Sequence, residues 1–184
     1  MTKSGFEFAM TLAAVRKLSP CKSSYERVSA ILPKRGKITA AQARDAGCTL
    51  DDMTWLASAL ARVNPLVERR IRHWAADCAA HVLHIYERDY PNDSRPRDAI
   101  KAGRDFADGK IDDAARDAAR DAARAAARDA AGDAAMAAAM AAARAAAGDA
   151  AWDAEEQWQL DRLILWLSAD EPAPFEALAL EQAA

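Results

Sequence analysis

The sequence predicts an all-α protein, a compact multi-helix bundle in which alanine-rich helices pack closely. Residues 114–153 read as ten tetrads that each begin with Ala-Ala, and no proline interrupts them. Because alanine loses no side-chain entropy in a helix, this repeat favours helix more strongly than any other part of the chain. Elsewhere, apolar residues recur at spacings of three and four, and no stretch of the sequence alternates as a strand does. Together these observations predict helices throughout.

Residues 1–65 form the first predicted domain, a series of short helices separated by turn residues. Its first helix carries Phe8, Leu12 and Val15 on one face and ends at Ser19-Pro20, because the residue before proline disfavours helix. Further helices are predicted over about Cys21–Leu32, Thr39–Ala46 and Leu50–Val63, with Thr39 as N-cap, Gly47 as terminator, and Met53, Trp55, Leu56 and Leu60 as core candidates.

Residues 66–168 form the second predicted domain, which includes the repeat, and residues 169–184 form a tail. The domain opens with the longest conventional amphipathic helix, and a later helix begins at Asp93 or Ser94 and closes at Gly109. The predicted core positions are Ile71, Trp74, Cys78, Val82 and Ile85 on the first of these helices and Leu160, Leu163, Ile164 and Leu167 on the last helix of the domain; Phe175, Leu178 and Leu180 are expected to dock the tail.

The period of the alanine repeat has a geometric consequence. A helix turns about 100° per residue, so each tetrad advances the pattern by about 40° and no single face of the helix stays apolar. We therefore expect the repeat to break or fold back at Gly132 and Gly148, because glycine weakens a helix interior. Met136 and Met140 lie between them and are expected to mark the buried side.

The charges of the repeat are arranged so that they largely cancel. Asp117 with Arg120 and Asp121 with Arg124 have the three-residue spacing of favourable ion pairs on a helix. We expect a near-neutral, solvated face.

Composition bounds the function. The chain has 184 residues, a formal net charge of −3 and a pI near 5.7, a balance that argues against a general nucleic-acid binder and favours a basic protein partner. The longest uncharged run in the repeat, residues 134–143, is about half of what a membrane span needs. With no apolar leader, the chain is expected in the bacterial cytoplasm, and Cys21, Cys48 and Cys78 are expected to be reduced, buried thiols.

Four side chains on the helix after Pro65 have the types that bind metal ions. His73, Asp77, His81 and His84 fall within about 80° of one another around a helix. One straight helix cannot surround a tetrahedral ion, however, and the sequence offers no second cluster of histidine or cysteine to complete the shell. We therefore predict no metal and no cofactor, and we place these residues at the flank of a buried stripe.

Residues 38–56 have the rhythm of a helix-turn-helix motif, with basic residues beside it. This keeps a DNA-binding regulator open as an alternative. Against it, the second helix would begin with two acidic residues that face DNA phosphates, and the helix dipole explains acidic residues at that position. The basic residues are Lys34, Arg35 and Lys37, and the acidic ones are Asp51 and Asp52.

The loop of residues 91–97, Pro-Asn-Asp-Ser-Arg-Pro-Arg, concentrates prolines, caps and guanidinium groups. Two interpretations stay open. One is a rigid corner in which the arginines pair with carboxylates or helix-end carbonyls, and the other is an epitope that a partner contacts. The candidate partner-binding residues are Asp93, Arg95 and Arg97 of this corner and Arg116, Arg120 and Arg124 of the repeat.

No catalytic group is predicted. Ser23 and Ser24 have no base in a recognisable motif, and the sequence contains no glycine-rich phosphate loop. The aspartates of the repeat alternate with arginines on solvated helix faces, and the five tryptophans are expected in the core. An enzyme is the class that the sequence favours least.

Several runs of the chain resemble a known family. They are Ala46–Leu56, Ala76–Glu87, Tyr90–Ile100, the alanine tetrads and Glu156–Leu163. Through them, roughly Ala40 to Leu167 resembles the alanine-rich immunity proteins of bacteria and their phages, often labelled Imm-5-like. The most specific marks are Asp77-Cys78 and Pro91-Asn92-Asp93 followed by Arg95-Pro96-Arg97.

The resemblance implies a non-enzymatic protein that binds and blocks a toxin or an immune effector protein. It leaves open whether a bacterium protects itself or a phage suppresses host defence. Where the family often carries aromatic or histidine residues in the tetrads, this chain has mostly Asp and Arg. We expect a monomer or a small homo-oligomer, and a structural protein that self-assembles through its alanine helices stays open as a further alternative.

Overall fold

The computed structural model describes residues 8–131, 151–168 and 172–175. Its described secondary structure is helical apart from one pair of two-residue strands, which confirms the predicted all-α class. In chain order the elements are strand β1 (Ala9–Met10), helices α1 (Leu12–Arg16) and α2 (Lys22–Ile31), strand β2 (Ile38–Thr39), helices α3 (Ala40–Asp45), α4 (Leu50–Ala61), α5 (Pro65–Asp89), α6 (Arg95–Ala107) and α7 (Asp113–Ala131), and the C-terminal helix over residues 151–166.

The described residues fall into two compact units. The first unit comprises residues 8–71, 155–168 and 172–173, and the second comprises residues 72–131, 151–154 and 174–175. None of the helices in these described ranges combines the length and the hydropathy that a membrane span requires.

Helices α3 and α4 both begin with a capping box. Thr39 accepts a hydrogen bond from the Gln42 amide at 3.1 Å while the Gln42 side chain accepts one from the Thr39 amide at 3.0 Å, and Thr49 and Asp52 repeat this arrangement. Such a box satisfies two amides that the first helical turn leaves unpaired. Gly47, between the helices, has a φ of 98°, which glycine adopts without strain. The predicted cap at Thr39 and turn at Gly47 are confirmed.

The first predicted helix is partly wrong. Phe8 is buried but precedes strand β1, which pairs antiparallel with β2 through Ala9 with Thr39 and Met10 with Ile38. The helix begins only at Leu12, after the N-cap Thr11. A strand of two residues is too short to show alternation, so the sequence pattern did not reveal it.

The apolar core of the first unit lies around the C-terminal helix. Leu163, Trp166 and Leu167 are each at most 1% exposed, as is Val67 of α5. Leu160 and Ile164 are buried beside them, so the apolar face predicted for this helix is confirmed.

A buried arginine closes the end of the same helix. The Arg70 side chain is 4% exposed, and its Nη1 donates to the carbonyls of Trp166 at 2.9 Å and Ser168 at 2.7 Å. Carbonyls in the last turn of a helix lack an intrahelical donor, so Arg70 supplies the hydrogen bonds that this end needs.

The core stripe predicted on α5 is wrong. Val82 and Ile85 are 41% and 49% exposed, and the other predicted positions are half-buried. The buried face carries polar side chains as well as apolar ones, and His73 and Asp77 belong to it rather than to its flank. Counting apolar residues failed here because charged groups are buried when partners from other elements compensate them. The buried residues are Val67, Arg70, His73, Ala76, Asp77, Ala80 and Leu83.

Burial was also predicted wrongly for two of the tryptophans and one thiol. On α4, Met53 is buried with Ala57 one turn later, whereas Trp55 lies off this narrow line and is 38% exposed. Trp152 is 65% exposed. Cys21 is exposed at the N-cap of α2, Cys48 is buried as predicted and Cys78 is half-buried, and all three thiols are free.

The described part of the alanine repeat is helical, as predicted. Helix α7 contains its first tetrads and packs against α6 within the second unit. The predicted breaks at Gly132 and Gly148, the buried Met136 and Met140, and the docking of Leu178 and Leu180 lie outside the described residues.

Replacing Leu163 by alanine should destabilise the protein by about 2–5 kcal/mol, because the side chain is fully buried and its loss leaves a cavity. Leu165→Ala on the same helix is the matched control, since Leu165 is 49% exposed and its loss should cost less than about 1 kcal/mol. Urea denaturation of both variants measures the difference. Equal losses would show that the C-terminal helix does not bury the face described here.

Candidate partner-binding groove

A buried ionic cluster joins α5, α6 and the segment at Phe175 in the second unit. Asp77 is fully buried, and its Oδ1 accepts hydrogen bonds from Arg104 Nη2 at 3.0 Å and from the Phe175 amide at 2.9 Å. Arg104 also donates to the Phe175 carbonyl. His73, 3% exposed, lies with Nε2 2.9 Å from Asp108 Oδ1. The cluster therefore ties α6 and its C-terminal turn to the inner face of α5.

The four α5 side chains whose types could bind a metal ion have different neighbours in the structure. His73 and Asp77 face the partners just described, whereas the His81 ring packs edge-on against Phe175 with centroids 5.4 Å apart. His84 is exposed, with Nδ1 3.0 Å from the His81 carbonyl. Within the described ranges, no group of three or more His, Cys, Asp and Glu side chains is arranged to hold a metal ion.

The corner between α5 and α6 is built by internal ion pairs. Asp93 accepts from Arg95 Nη2 at 2.7 Å, from the Arg95 amide at 3.1 Å and from the Tyr86 hydroxyl at 2.7 Å. These hydrogen bonds hold the pKa of Asp93 well below its usual range, and the bond from the Arg95 side chain has the largest effect. The pKa of Tyr86 is raised to about 12, mainly by burial and secondly by the hydrogen bond to Asp93.

The second arginine of the corner is paired in the same way. Arg97 makes a two-pronged contact with Glu87 of α5, with Nε at 2.8 Å and Nη2 at 2.6 Å from its carboxylate oxygens. The two guanidinium side chains stay 38% exposed at Arg95 and 43% exposed at Arg97. The geometry is that of a rigid corner whose arginines still present one edge to solvent.

A groove of about 680 Å³ runs between α5, α6 and α7 in the second unit. Its apolar surface comes from alanine and glycine together with larger aliphatic and aromatic side chains, and none of the described residues that line it is acidic. Tyr86 and Pro96 connect it to the corner, and Arg116 and Arg120 connect it to the alanine repeat. The remaining lining residues are Arg72, Ala75, Ala76, Ala79, Val82, Leu83, Ala99, Ile100, Gly103, Phe106 and Ala123.

Phe106 holds two arginines at one end of this groove. The guanidinium carbons of Arg72 and Arg116 lie 4.4 Å and 4.2 Å from the centre of its ring, within the range of cation–π attraction. Neither Arg72 nor Phe106 was predicted from the sequence to belong to a site. A sequence signal for this end of the groove was available. Phe106 is the one aromatic residue of the largely polar helix α6, and Ala75 and Ala79 lie one turn apart on α5.

The aspartates of α7 form ion pairs with some of its arginines and not with others. Arg116 pairs with Asp117 at 2.7 Å and Arg124 pairs with Asp121 at 3.1 Å. The predicted pair of Asp121 with Arg124 is therefore present, whereas Asp117 contacts Arg116 rather than Arg120. Of the six residues predicted to bind a partner, the groove brings together only Arg116 and Arg120, and Arg124 is not among its lining residues.

The helix-turn-helix candidate is formed by α3 and α4 in the first unit. At the start of α4, Asp52 caps the helix through Thr49 and forms an ion pair with Arg27 of α2. Asp51 beside it is exposed. The N-terminus of α4, which would approach DNA in a helix-turn-helix, is therefore acidic, as the sequence indicated. The charge of Asp52 is explained by its cap and its ion pair within the protein.

A second cavity, of about 390 Å³, lies in the first unit and was not foreseen from the sequence. It is mainly apolar, with the exposed Trp55 and the Arg27–Asp52 ion pair in its lining. Cys21 and Cys48 also line it. Burial raises the pKa of Cys48 to about 11, whereas hydrogen bonding with Ser24 lowers that of Cys21.

These features define a helical protein with an internally paired polar cluster and an arginine-lined groove. The family described as Imm-5 like putative immunity protein matches residues 61–151. This match over residues 61–151 confirms the resemblance seen in the sequence. No curated protein and no solved structure shows significant similarity to it.

Removing the cation of the buried cluster should be costly. Arg104→Met leaves the carboxylate of Asp77 buried without the guanidinium, which should cost about 3–5 kcal/mol of unfolding free energy in urea denaturation. Lys101→Met removes the same charge from an exposed position on the same helix and should cost about 1 kcal/mol or less.

The combination of Arg104→Met with Asp77→Asn should recover part of this loss, because the amide carries no charge to desolvate. A double variant that loses the sum of the single losses, or an Arg104→Met variant as stable as Lys101→Met, would contradict the role assigned to this pair.

The corner should make stability depend on pH. Because the pKa of Asp93 is lower in the folded chain than its unfolded value of about 3.9, its contribution is present above that value and is lost as pH falls towards the folded pKa. The difference in Tm between the native chain and Asp93→Asn should therefore be largest near neutral pH and should shrink below about pH 4. Tyr86→Phe, which removes one of the donors, should show a smaller shrinkage. A constant Tm difference across this range is the contrary result.

Proposed function

We propose that this chain is a non-enzymatic immunity protein that binds and blocks a toxin or an immune effector protein in the cytoplasm. One observation carries the proposal. The segment that matches the immunity family, residues 61–151, contains all the residues that line the groove, from Arg72 to Ala123. The part of the chain that defines the family is thus the part that builds the candidate binding surface.

The chemistry of the groove supports a contact surface rather than a reaction site. Its uncharged lining is made of alanine, glycine, aliphatic and aromatic side chains, and the charged groups among its described residues are arginines, which do not act as acids or bases near neutral pH. The buried titratable groups behind it, His73 and Asp77, are engaged by Asp108 and Arg104. Inhibition by occlusion needs only such a surface and a partner that fits it.

The corner at Asp93, Arg95 and Arg97 holds one end of the groove. Asp93 fixes the hydroxyl of the lining residue Tyr86, and Arg97 ties the start of α6 to Glu87. We propose that these residues position the groove, and that Arg116 and Arg120 contact the partner directly.

Capture from the native host followed by titration tests the proposal. The full chain is used as bait, the captured protein is produced alone, and its activity is measured against increasing amounts of the chain. Stoichiometric blocking predicts complete inhibition near one equivalent that does not deepen with time. Arg120→Glu should weaken the inhibition, whereas Arg88→Glu, an equal charge change at an exposed site outside the groove, should not.

Two results would contradict the proposal. A captured protein that stays fully active with the chain in excess is not blocked by it. Complete inhibition far below one equivalent would indicate a catalytic inactivator instead of a binding protein.

A further inference from the structure

We infer that the groove receives an acidic, amphipathic α-helix of the partner protein, an inference that rests on the proposed function and names the element that the groove recognises. The acidic helix complements the arginines of the groove itself, whereas the net charge of −3 that favours a basic partner belongs to the whole chain. Grooves between helices bind such segments by burying their apolar face while charges along the rim set orientation. The chain supplies three separate reasons for this occupant: a charge left over on α7, a floor of small residues, and open space above a glycine.

A charge is left over because Arg116 engages two aspartates of α7, Asp113 as well as Asp117. The carboxylates closest in sequence to Arg120 are Asp117 and Asp121, and these are engaged by Arg116 and Arg124 at 2.7 Å and 3.1 Å. Arg120 is exposed, lines the groove and has no ion pair within the described ranges. Its guanidinium favours a carboxylate-bearing occupant.

The floor allows a backbone to come close. Ala75 and Ala79 of α5 lie one turn apart, and Ala99 and Gly103 are spaced in the same way on α6, with Ala123 of α7 opposite. Small side chains let a further helix approach near the short end of the 8–10 Å range of helix packing distances. Because each contact is shallow, the occupant gains by covering the whole length of the groove rather than by inserting one large side chain.

Gly103 indicates that this space is kept open. It lies inside α6, where glycine costs stability relative to alanine, and a Cβ built on it would meet no other atom within 4 Å. Its φ is not in the left-handed region that would require glycine. The packing of the chain itself therefore does not demand a glycine here, whereas a helix lying in the groove would.

A helical peptide is the probe for this inference. It has about five turns, with Glu along one face and Ala and Leu along the other, and carries a fluorescent label for anisotropy with the full-length chain. A second peptide has Lys in place of every Glu, and a single-stranded RNA of similar charge is the third probe. We expect the Glu peptide to bind at least about tenfold more tightly than the Lys peptide, and its affinity to fall with added salt.

Three variants separate the groove from the general charge of the chain. Arg120→Glu should weaken binding of the Glu peptide about tenfold, whereas Arg88→Glu, with the same change in net charge, should leave it within about twofold. Gly103→Leu fills the groove and should weaken binding about tenfold while the Tm stays the same or rises. Gly103→Ala, which raises helix propensity but adds one methyl group, should weaken binding less.

The inference is overturned if the Lys peptide or the RNA binds as tightly as the Glu peptide, if Gly103→Leu leaves binding unchanged, or if Arg88→Glu weakens it as much as Arg120→Glu. These failures differ from failure of the proposed function. A chain whose Gly103→Leu variant still blocks the captured partner at one equivalent is an inhibitor that uses another surface. A native chain that does not block its captured partner is not an inhibitor, whatever peptides it binds.

Discussion

The burial of charge on the inner face of α5 is the constraint on which the rest of the structure depends. Arg70, His73 and Asp77 occupy successive turns of one helix face, and each is almost fully removed from water. An uncompensated charge in such a place would cost several kcal/mol, so each must meet a group of complementary character. Arg70 meets the carbonyls that end the C-terminal helix, and Asp77 meets Arg104 and the amide of Phe175. In the first unit these partners fix the end of the C-terminal helix, and in the second unit they fix α6 and the segment at Phe175.

This arrangement leaves another side of α5 to border the groove. With the polar groups turned inward, the face that carries Ala75, Ala79 and Val82 borders the groove with α6 and α7. The alanine repeat contributes Ala123, Arg116 and Arg120 to the lining of this groove. On α7, Arg116 and Arg124 engage the aspartates that flank Arg120 in the sequence.

The local elements were predictable because their causes are local. The helix from Lys22 to Ile31, the N-cap at Thr39 and the turn at Gly47 each depend on residues within a few positions of one another. The apolar face of the C-terminal helix was predictable for the same reason, since its leucines recur at spacings of three and four. The two-residue strand pair was not, because its register joins residues about thirty positions apart in a segment without alternation.

By itself, the sequence determined the helical class, most helix limits and the family of residues 61–151, because propensity, caps and periodicity are properties of neighbouring residues. Only the tertiary structure decided which face of α5 is buried and which arginine of α7 is left over. The buried charges find partners between 27 and 98 residues away, and no local pattern contains that information. Once such partners are in place, burying an aspartate beside an arginine is tolerated, and the apolar Val82 and Ile85 stay exposed instead.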